Sequence, residues 1–117
     1  MIRTYNFQKQ FKELILNGSK KQTIRKSRKR ETKPDDVLHL YTGMRTKQCQ
    51  LIAKATCENV IPILIFPFQK RLVANITTDI FQFAQDDGFE NIDDFYEFFQ
   101  QYGEEKLNME IIYWKLI

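Results

Sequence analysis

The chain has 117 residues, 43% of them hydrophobic and 28% charged, with a formal net charge of +3. That length, with ten Phe, five Tyr and one Trp to fill a core, predicts a single domain over residues 1–117. No apolar run approaches the roughly 20 residues of a membrane-spanning helix, and the N-terminus lacks a signal-peptide pattern, so we expect a cytoplasmic protein without a membrane partner.

The cysteines and the single histidine restrict redox and metal chemistry. Cys49 and Cys57 lie eight residues apart in what reads as one strand, a separation of about 26 Å at ~3.3 Å per residue. A disulfide needs α-carbons within about 7 Å, so we expect free thiols, which suit a reducing compartment. With one histidine and no paired cysteine spacing, we expect no metal site and no cofactor.

Charge is distributed unevenly along the chain. Residues 20–33 hold eight cations and one acid, a net charge of +7, whereas residues 79–110 hold ten acids and one cation, a net charge of −9. A clustered basic segment on a nearly neutral domain predicts a surface for a polyanion. The alternative is a solvated loop, or a loop that packs on the acidic half of the same protein.

The first half of the chain predicts one helix among several strands. The helix has apolar residues at helical spacing, with Asn6 as a candidate N-cap and Gly18 at its end; these apolar residues are Phe7, Phe11, Leu14 and Ile15. Strands are predicted over residues 3–7, 22–26, 37–42 and 48–57. Pro62 and Pro67 confine any continuation of the last strand to an edge or a bend.

The second half predicts two short helices and a closing strand. Thr77 or Thr78 caps a helix that starts at Asp79, and its inner stripe is Ile80, Phe83, Ala84 and Asp87. Asn91 caps the next helix, whose inner residues are Ile92, Phe95, Phe99 and Tyr102. Residues 107–117 are apolar on both faces, as in a buried strand. The fold class predicted is α+β, mainly β: a small barrel or curled sheet with three short helices packed around it.

Three short motifs, in order, resemble the ASCH domain family. Residues 15–25, ILNGSKKQTIR, resemble its G-x-K-x-x-T-x-R signature, and residues 33–38 resemble its P-G-D-x-L turn and strand. Residues 84–89, followed by Phe95, resemble its A-x-x-D-G-F…F segment, and Trp114 fits the family's final strand. The resemblance therefore spans nearly the whole chain.

The resemblance implies a PUA-like small β-barrel that binds RNA or a nucleotide. Small bacterial members resemble N(4)-acetylcytidine amidohydrolases with a catalytic Lys, Thr and Glu, and others are described as ribonucleases. In this sequence the Lys falls on Lys20 and the Thr on Thr23. The Glu falls nearest to Asp87, so a carboxylate one methylene shorter stands where the family has glutamate.

These residue types could carry hydrolytic chemistry. A lysine acts as a base only if its pKa falls toward neutrality, and burial or a neighbouring cation such as Lys21 or Arg25 has that effect. Neutral Lys20 would take the proton of the Thr23 hydroxyl, which would attack an acyl carbon, while Asp87 would orient or protonate. The alternatives are a charged lysine on phosphate, a structural strand threonine and a surface aspartate.

The remaining candidates are predicted to bind rather than to react. Arg25 would contact a phosphate or a base edge, or else pair with an acid such as Asp87, and Tyr41 would stack on a base. The loop cations would add salt-dependent attraction, unless they belong to a solvated loop. The full predicted binding set is Lys20, Lys21, Arg25, Lys26, Arg28, Lys29, Arg30 and Tyr41.

Together these observations predict an RNA- or nucleotide-binding domain with a basic cleft built on residues 18–25. The alternative is a small amidohydrolase acting on an N-acylated cytidine-type nucleoside, or a metal-independent ribonuclease. A third class, a protein-interaction module, would use the basic loop to pair with an acidic protein partner.

Overall fold

Six strands and three short helices make up the chain, and the computed structural model describes all 117 residues, Met1–Ile117. The strands are β1 (Ile2–Phe7), β2 (Gln22–Arg25), β3 (Val37–Thr42), β4 (Gln50–Phe66), β5 (Arg71–Ala74) and β6 (Leu107–Leu116). The helices are α1 (Lys12–Leu16), which follows a 3₁₀ turn over Lys9–Phe11, α2 (Ile80–Asp86) and α3 (Ile92–Gln100). The predicted α+β, mainly β class with three helices is confirmed.

The strands form one sheet in the order β1-β3-β4-β6-β2, and β5 pairs with the far end of β4. β1 runs parallel to β3, and every other pairing is antiparallel. β6 lies between β4 and β2, and its buried face changes along the strand: Leu107, Met109 and Ile111 are buried in the first half, and Ile112 and Trp114 in the second. The predicted closing strand is therefore an interior strand of the sheet.

The sequence predicted a small barrel or a curled sheet; the sheet is not closed, and the barrel that the resemblance implied is not confirmed. β1 and β2 are its edges, and no strand pairing joins them. Arginine side chains bridge the two edges instead, because Arg25 Nη2 donates to the Asn6 carbonyl at 2.6 Å and Arg28 Nη2 donates to the Thr4 carbonyl at 2.8 Å. These bonds satisfy carbonyl groups that an edge strand would otherwise leave unpaired within the protein.

β4 is longer than predicted and contains an irregularity. Pairing passes from Leu40–Ala53 to Tyr41–Leu51, so Ile52 is an extra residue in the strand. Such a bulge reverses the alternation locally, and Ile52 is buried while Leu51 is 41% exposed, the opposite of the predicted faces. The strand also continues through Pro62, where neither β3 nor β5 pairs with it, a position that tolerates proline.

The helix starts confirm one of the predicted caps and correct the other two. Asn91 caps α3 by accepting the Asp94 N–H at 2.8 Å, as predicted. α2 is capped by Asp79 rather than by a preceding threonine. Asn6 does not cap the first helix, because it belongs to β1 and its side chain accepts the Met44 N–H. No helix here, the longest having nine residues, has the length and apolar character to cross a membrane.

One continuous core joins the helices to the sheet. The predicted inner residues Phe83, Phe95 and Phe99 are buried in it, with ring centroids of neighbouring pairs 5.1–5.8 Å apart. Both cysteines are free, as expected; Cys49 is exposed and Cys57 is buried. Burial, with the nearby Asp36 carboxylate, raises the pKa of Cys57 to about 11, so this thiol is not a nucleophile near neutral pH.

Candidate functional site

The segment after α1 carries Lys20 into the interior. The Lys20 N–H donates to the Leu14 carbonyl at 2.9 Å, and the Lys21 N–H donates to the Asp86 carbonyl at 2.8 Å. These two backbone bonds hold the segment between α1 and the end of α2 before it continues as β2. As a result the Lys20 side chain is only 3% exposed.

The Lys20 ammonium group lies at the C-terminal end of α2. Its Nζ donates to the Asp87 backbone carbonyl at 2.5 Å and lies 3.8 Å from the Asp87 carboxylate. The ring centroids of Phe11 and Phe7 are 4.8 and 5.6 Å away. A helix C-terminus and aromatic faces both favour a cation. An ammonium group has three donors, so this one keeps donors for a ligand.

Asp87 is the partner of Lys20 and is equally buried. It caps α2 at its C-terminus, is 3% exposed, and accepts a hydrogen bond from Gln22 Nε2 at 3.4 Å. Burial raises the pKa of Asp87 to about 6, and the Lys20 charge opposes that shift. Burial lowers the pKa of Lys20 to about 8; Asp87 opposes the shift and Arg25 adds to it. Both groups are therefore ionised between about pH 6 and 8.

Thr23 and Arg25 project from β2 toward the same place. Arg25 Nε donates to the Thr23 hydroxyl oxygen at 3.0 Å, which leaves the hydroxyl proton free to be donated. The Arg25 guanidinium carbon lies 4.8 Å from the Phe7 ring centroid and 5.4 Å from that of Tyr5. Burial lowers the pKa of Arg25 below its ordinary value. Arg25 does not form an ion pair with Asp87, which was the alternative to a phosphate or base-edge contact; its polar partners are Thr23 and the Asn6 carbonyl.

These side chains border one cavity of about 250 Å³ between β1, β2 and the end of α3. Lys20, Thr23, Arg25 and Asp87 supply its charged and hydroxyl groups, and its aromatic lining consists of Phe7, Phe11, Phe89, Phe98, Phe99 and Tyr102. The three residues predicted to be catalytic therefore share a cavity, although no hydrogen bond joins Lys20 to Thr23. The predicted gathering of Lys20 and Arg25 at one hollow is what the structure shows.

Four other hollows are larger than this cavity, and Lys21 is the only lysine or arginine among the residues that line them. The largest, about 730 Å³, lies over β4, β5 and β6 and contains no lysine or arginine. The next, about 550 Å³, is lined by the acidic residues Glu90, Asp94 and Glu97. A third, about 500 Å³, is bordered by Lys21 and the outer side of α2, and the fourth has a volume of about 330 Å³. Because buried ionisable groups with shifted pKa values mark candidate functional sites, the 250 Å³ cavity, which Lys20 and Asp87 border, is the candidate site.

The other predicted binding residues do not line this cavity. Lys21 is exposed on the far side of its segment, and Tyr41 is half-buried on β3. Lys29 and Arg30 are exposed and make no polar contact with the protein. The sequence predicted a cleft lined by eight basic or aromatic residues. Only two of them, the cations Lys20 and Arg25, line the cavity.

The basic loop is anchored rather than free. Arg28 places its guanidinium carbon 4.1 Å from the Tyr5 ring centroid, in addition to its bond to the Thr4 carbonyl. The Tyr5 hydroxyl is hydrogen-bonded to buried Thr32. Lys26 pairs with Glu104 at 2.9 Å, so part of the loop packs on the protein's own acidic half, one of the alternatives given by the charge pattern.

Three site residues were not predicted from the sequence. Gln22, 1% exposed, donates to Asp87, and Tyr102 contributes a wall of the cavity. Gly88 has a φ of +99°, and a Cβ there would lie 2.9 Å from the Phe11 ring and 3.1 Å from Lys20 Cδ. The sequence signal for this role was the place of Gly88 in the segment 84–89, directly after Asp87.

No protein-family model matches the chain, and no curated protein matches it. Among solved structures, the crystal structure of hypothetical protein PH0355 is similar, with a TM-score of 0.65 over 100% of both chains and 18% sequence identity. At this identity the likeness concerns the fold alone. The chain therefore shares its overall fold with a protein of very different sequence.

Proposed function

We propose that this protein binds a nucleoside- or nucleotide-like ligand in the 250 Å³ cavity, as an ASCH-type domain of PUA-like fold. The observation that carries the proposal is a lysine, Lys20, that is 3% exposed and shares with Arg25 a cavity walled by aromatic rings. Buried cations are costly, so their presence without a full set of protein acceptors favours a ligand that supplies acceptors.

The cavity's shape and chemistry support a planar ligand of modest size. Its volume of about 250 Å³ falls just below the ~300 Å³ at which drug-sized pockets begin. Aromatic rings on the walls suit a base, because every base has a π-face. Donors from Lys20 and Arg25 suit the carbonyl and ring-nitrogen acceptors of a base edge. The exposed cations Lys29 and Arg30 are available to phosphates of a longer RNA.

A second candidate, amidohydrolysis of an N-acylated cytidine, is favoured by the ionisation of Lys20. With a pKa of about 8, Lys20 is neutral in an appreciable fraction of molecules at mildly alkaline pH. Neutral Lys20 would accept the Thr23 proton as the Thr23 oxygen bonds to the acyl carbon. The amine would leave with the proton held by Lys20, and water would hydrolyse the Thr23 ester to release the acid. Arg25, donating to the Thr23 oxygen, would stabilise its developing charge.

Binding is tested by titrating cytidine into the protein and following NMR shifts. We expect Lys20→Gln to weaken binding by about tenfold to a hundredfold, since hydrogen bonds to charged groups contribute roughly 1.5–3 kcal/mol. Lys29→Gln is the matched control, because Lys29 is exposed and away from the cavity. Equal effects of the two variants, or no binding by the unmodified protein, would rule out the cavity as the binding site.

Turnover is tested by acetate release from N(4)-acetylcytidine. We expect Thr23→Val to abolish release while leaving cytidine binding within about threefold, because only the hydroxyl is removed. The rate should rise with pH through about 8, since neutral Lys20 is the base and its pKa is about 8. Absence of acetate release would leave binding alone, and metal-free shortening of labelled RNA would point to a ribonuclease.

A further inference from the structure

A lysine at the mouth of the cavity is held by an acid of the same protein. Lys26 directly follows β2, and its Nζ lies 2.9 Å from the Glu104 carboxylate and 5.4 Å from the Tyr102 ring centroid. Tyr102 lines the cavity and is 38% exposed, and its inner face stacks on Phe99 with an interplanar angle of 13°. Lys26 therefore stands over an aromatic ring at the boundary between cavity and solvent.

The ion pair between Lys26 and Glu104 is weak enough for a ligand anion to replace Glu104. The Lys26 and Glu104 side chains are 54% and 50% exposed, and exposed ion pairs contribute little because water and salt screen them. A phosphate carries more charge than a carboxylate near neutral pH and has three acceptor oxygens. A ligand phosphate at the rim can therefore replace Glu104 as the partner of Lys26 without disturbing the buried residues.

We infer that Lys26 is the residue that selects phosphorylated ligands, and that Glu104 competes with the ligand phosphate for it. The inference deepens the proposed function and rests on it. The base of the ligand occupies the cavity beside Lys20 and Arg25, and its phosphate lies at the rim against Lys26. The ligand class is accordingly a nucleoside monophosphate, or the phosphate-bearing end of an RNA, in preference to a neutral nucleoside.

The test compares cytidine with cytidine monophosphate on the same protein by calorimetry at low salt. The unmodified protein is expected to bind the monophosphate more tightly than the nucleoside. Glu104→Gln frees Lys26 and should tighten monophosphate binding about two- to fivefold, with cytidine binding unchanged. Lys26→Gln should remove the preference for the monophosphate, again without changing cytidine binding. Lys115→Gln, which changes an exposed lysine of β6 that does not line the cavity, is the matched control and should leave the preference intact.

The outcomes separate this inference from the function on which it rests. If cytidine binds but the monophosphate binds no better, or if Glu104→Gln weakens monophosphate binding, the role of Lys26 and Glu104 is wrong and the cavity assignment stands. If neither compound binds, both are wrong. An RNA carrying a 5′-terminal phosphate, compared with the same RNA lacking it, distinguishes a free nucleotide from an RNA end as the source of the phosphate.

Discussion

Replacing Asp87 by asparagine should destabilise the protein by about 3–5 kcal/mol at pH 7, the cost of leaving a buried charge without its partner. Lys20 and Asp87 are each 3% exposed, with the ammonium and carboxylate groups 3.8 Å apart. Without the carboxylate, burial and the Arg25 charge still lower the pKa of Lys20, and nothing opposes them. Urea unfolding followed by circular dichroism measures the change.

The pKa shifts of Lys20 and Asp87 determine how the stability of the protein changes with pH. The pKa of Lys20 is lower in the folded protein than the ordinary 10.5, so the folded state binds fewer protons and stability rises with pH between about 8 and 10.5. The pKa of Asp87 is raised from 3.8 to about 6, so its contribution to stability is largest below pH 3.8 and is lost as pH rises through about 6. Asp87→Asn removes the part of this pH dependence that comes from Asp87. The stability lost in the variant should be smaller above about pH 8, where Lys20 loses its charge.

Two further variants control this experiment. Lys20→Met combined with Asp87→Asn should recover most or all of the lost stability, because a buried ion pair replaced by neutral groups is often neutral or stabilising by roughly 1–4 kcal/mol. Asp93→Asn removes an aspartate that is 69% exposed and paired with Lys70, and should cost less than about 1 kcal/mol. A cost for Asp87→Asn no larger than that of Asp93→Asn would contradict the buried pair.

Replacing Gly88 by alanine should cost about 2–5 kcal/mol and displace Lys20. Gly88 has a φ of +99°, and an added Cβ would lie 2.9 Å from a Phe11 ring carbon and 3.1 Å from Lys20 Cδ. The left-handed backbone contributes roughly 1–2 kcal/mol, and overpacking contributes roughly 1–3 kcal/mol. Thermal unfolding measures the loss of stability, and cytidine titration measures the effect on the cavity.

Gly103 provides the matched control for the backbone contribution. It also follows a helix with a positive φ, +68°, but no atom lies within 4 Å of its added Cβ. Gly103→Ala should therefore cost only the roughly 1–2 kcal/mol of the left-handed conformation and leave cytidine binding unchanged. If the two variants are equally destabilised and bind equally well, Gly88 has no packing role beside Lys20.

Local patterns in the sequence determine several elements by themselves. The alternation of Val37–Thr42 predicts β3 with its observed bounds, because period-two burial is a property of consecutive residues. Asn91 caps α3 as predicted, because an N-cap is satisfied within one helical turn. The approach of Lys20 and Thr23 to one cavity also follows from short-range spacing, since only two residues lie between them along the chain.

Only the tertiary structure decides the features that join distant parts of the chain. Lys20 meets Asp87 across 67 residues, at a position set by how α2 packs against the segment before β2. The bulge at Ile52 and the edge left open between β1 and β2 depend on strand register, and register is a property of pairs of strands that no single stretch contains. The same reason explains why Arg25 donates to Thr23 and Asn6 instead of Asp87, and why Tyr102, not Tyr41, borders the cavity.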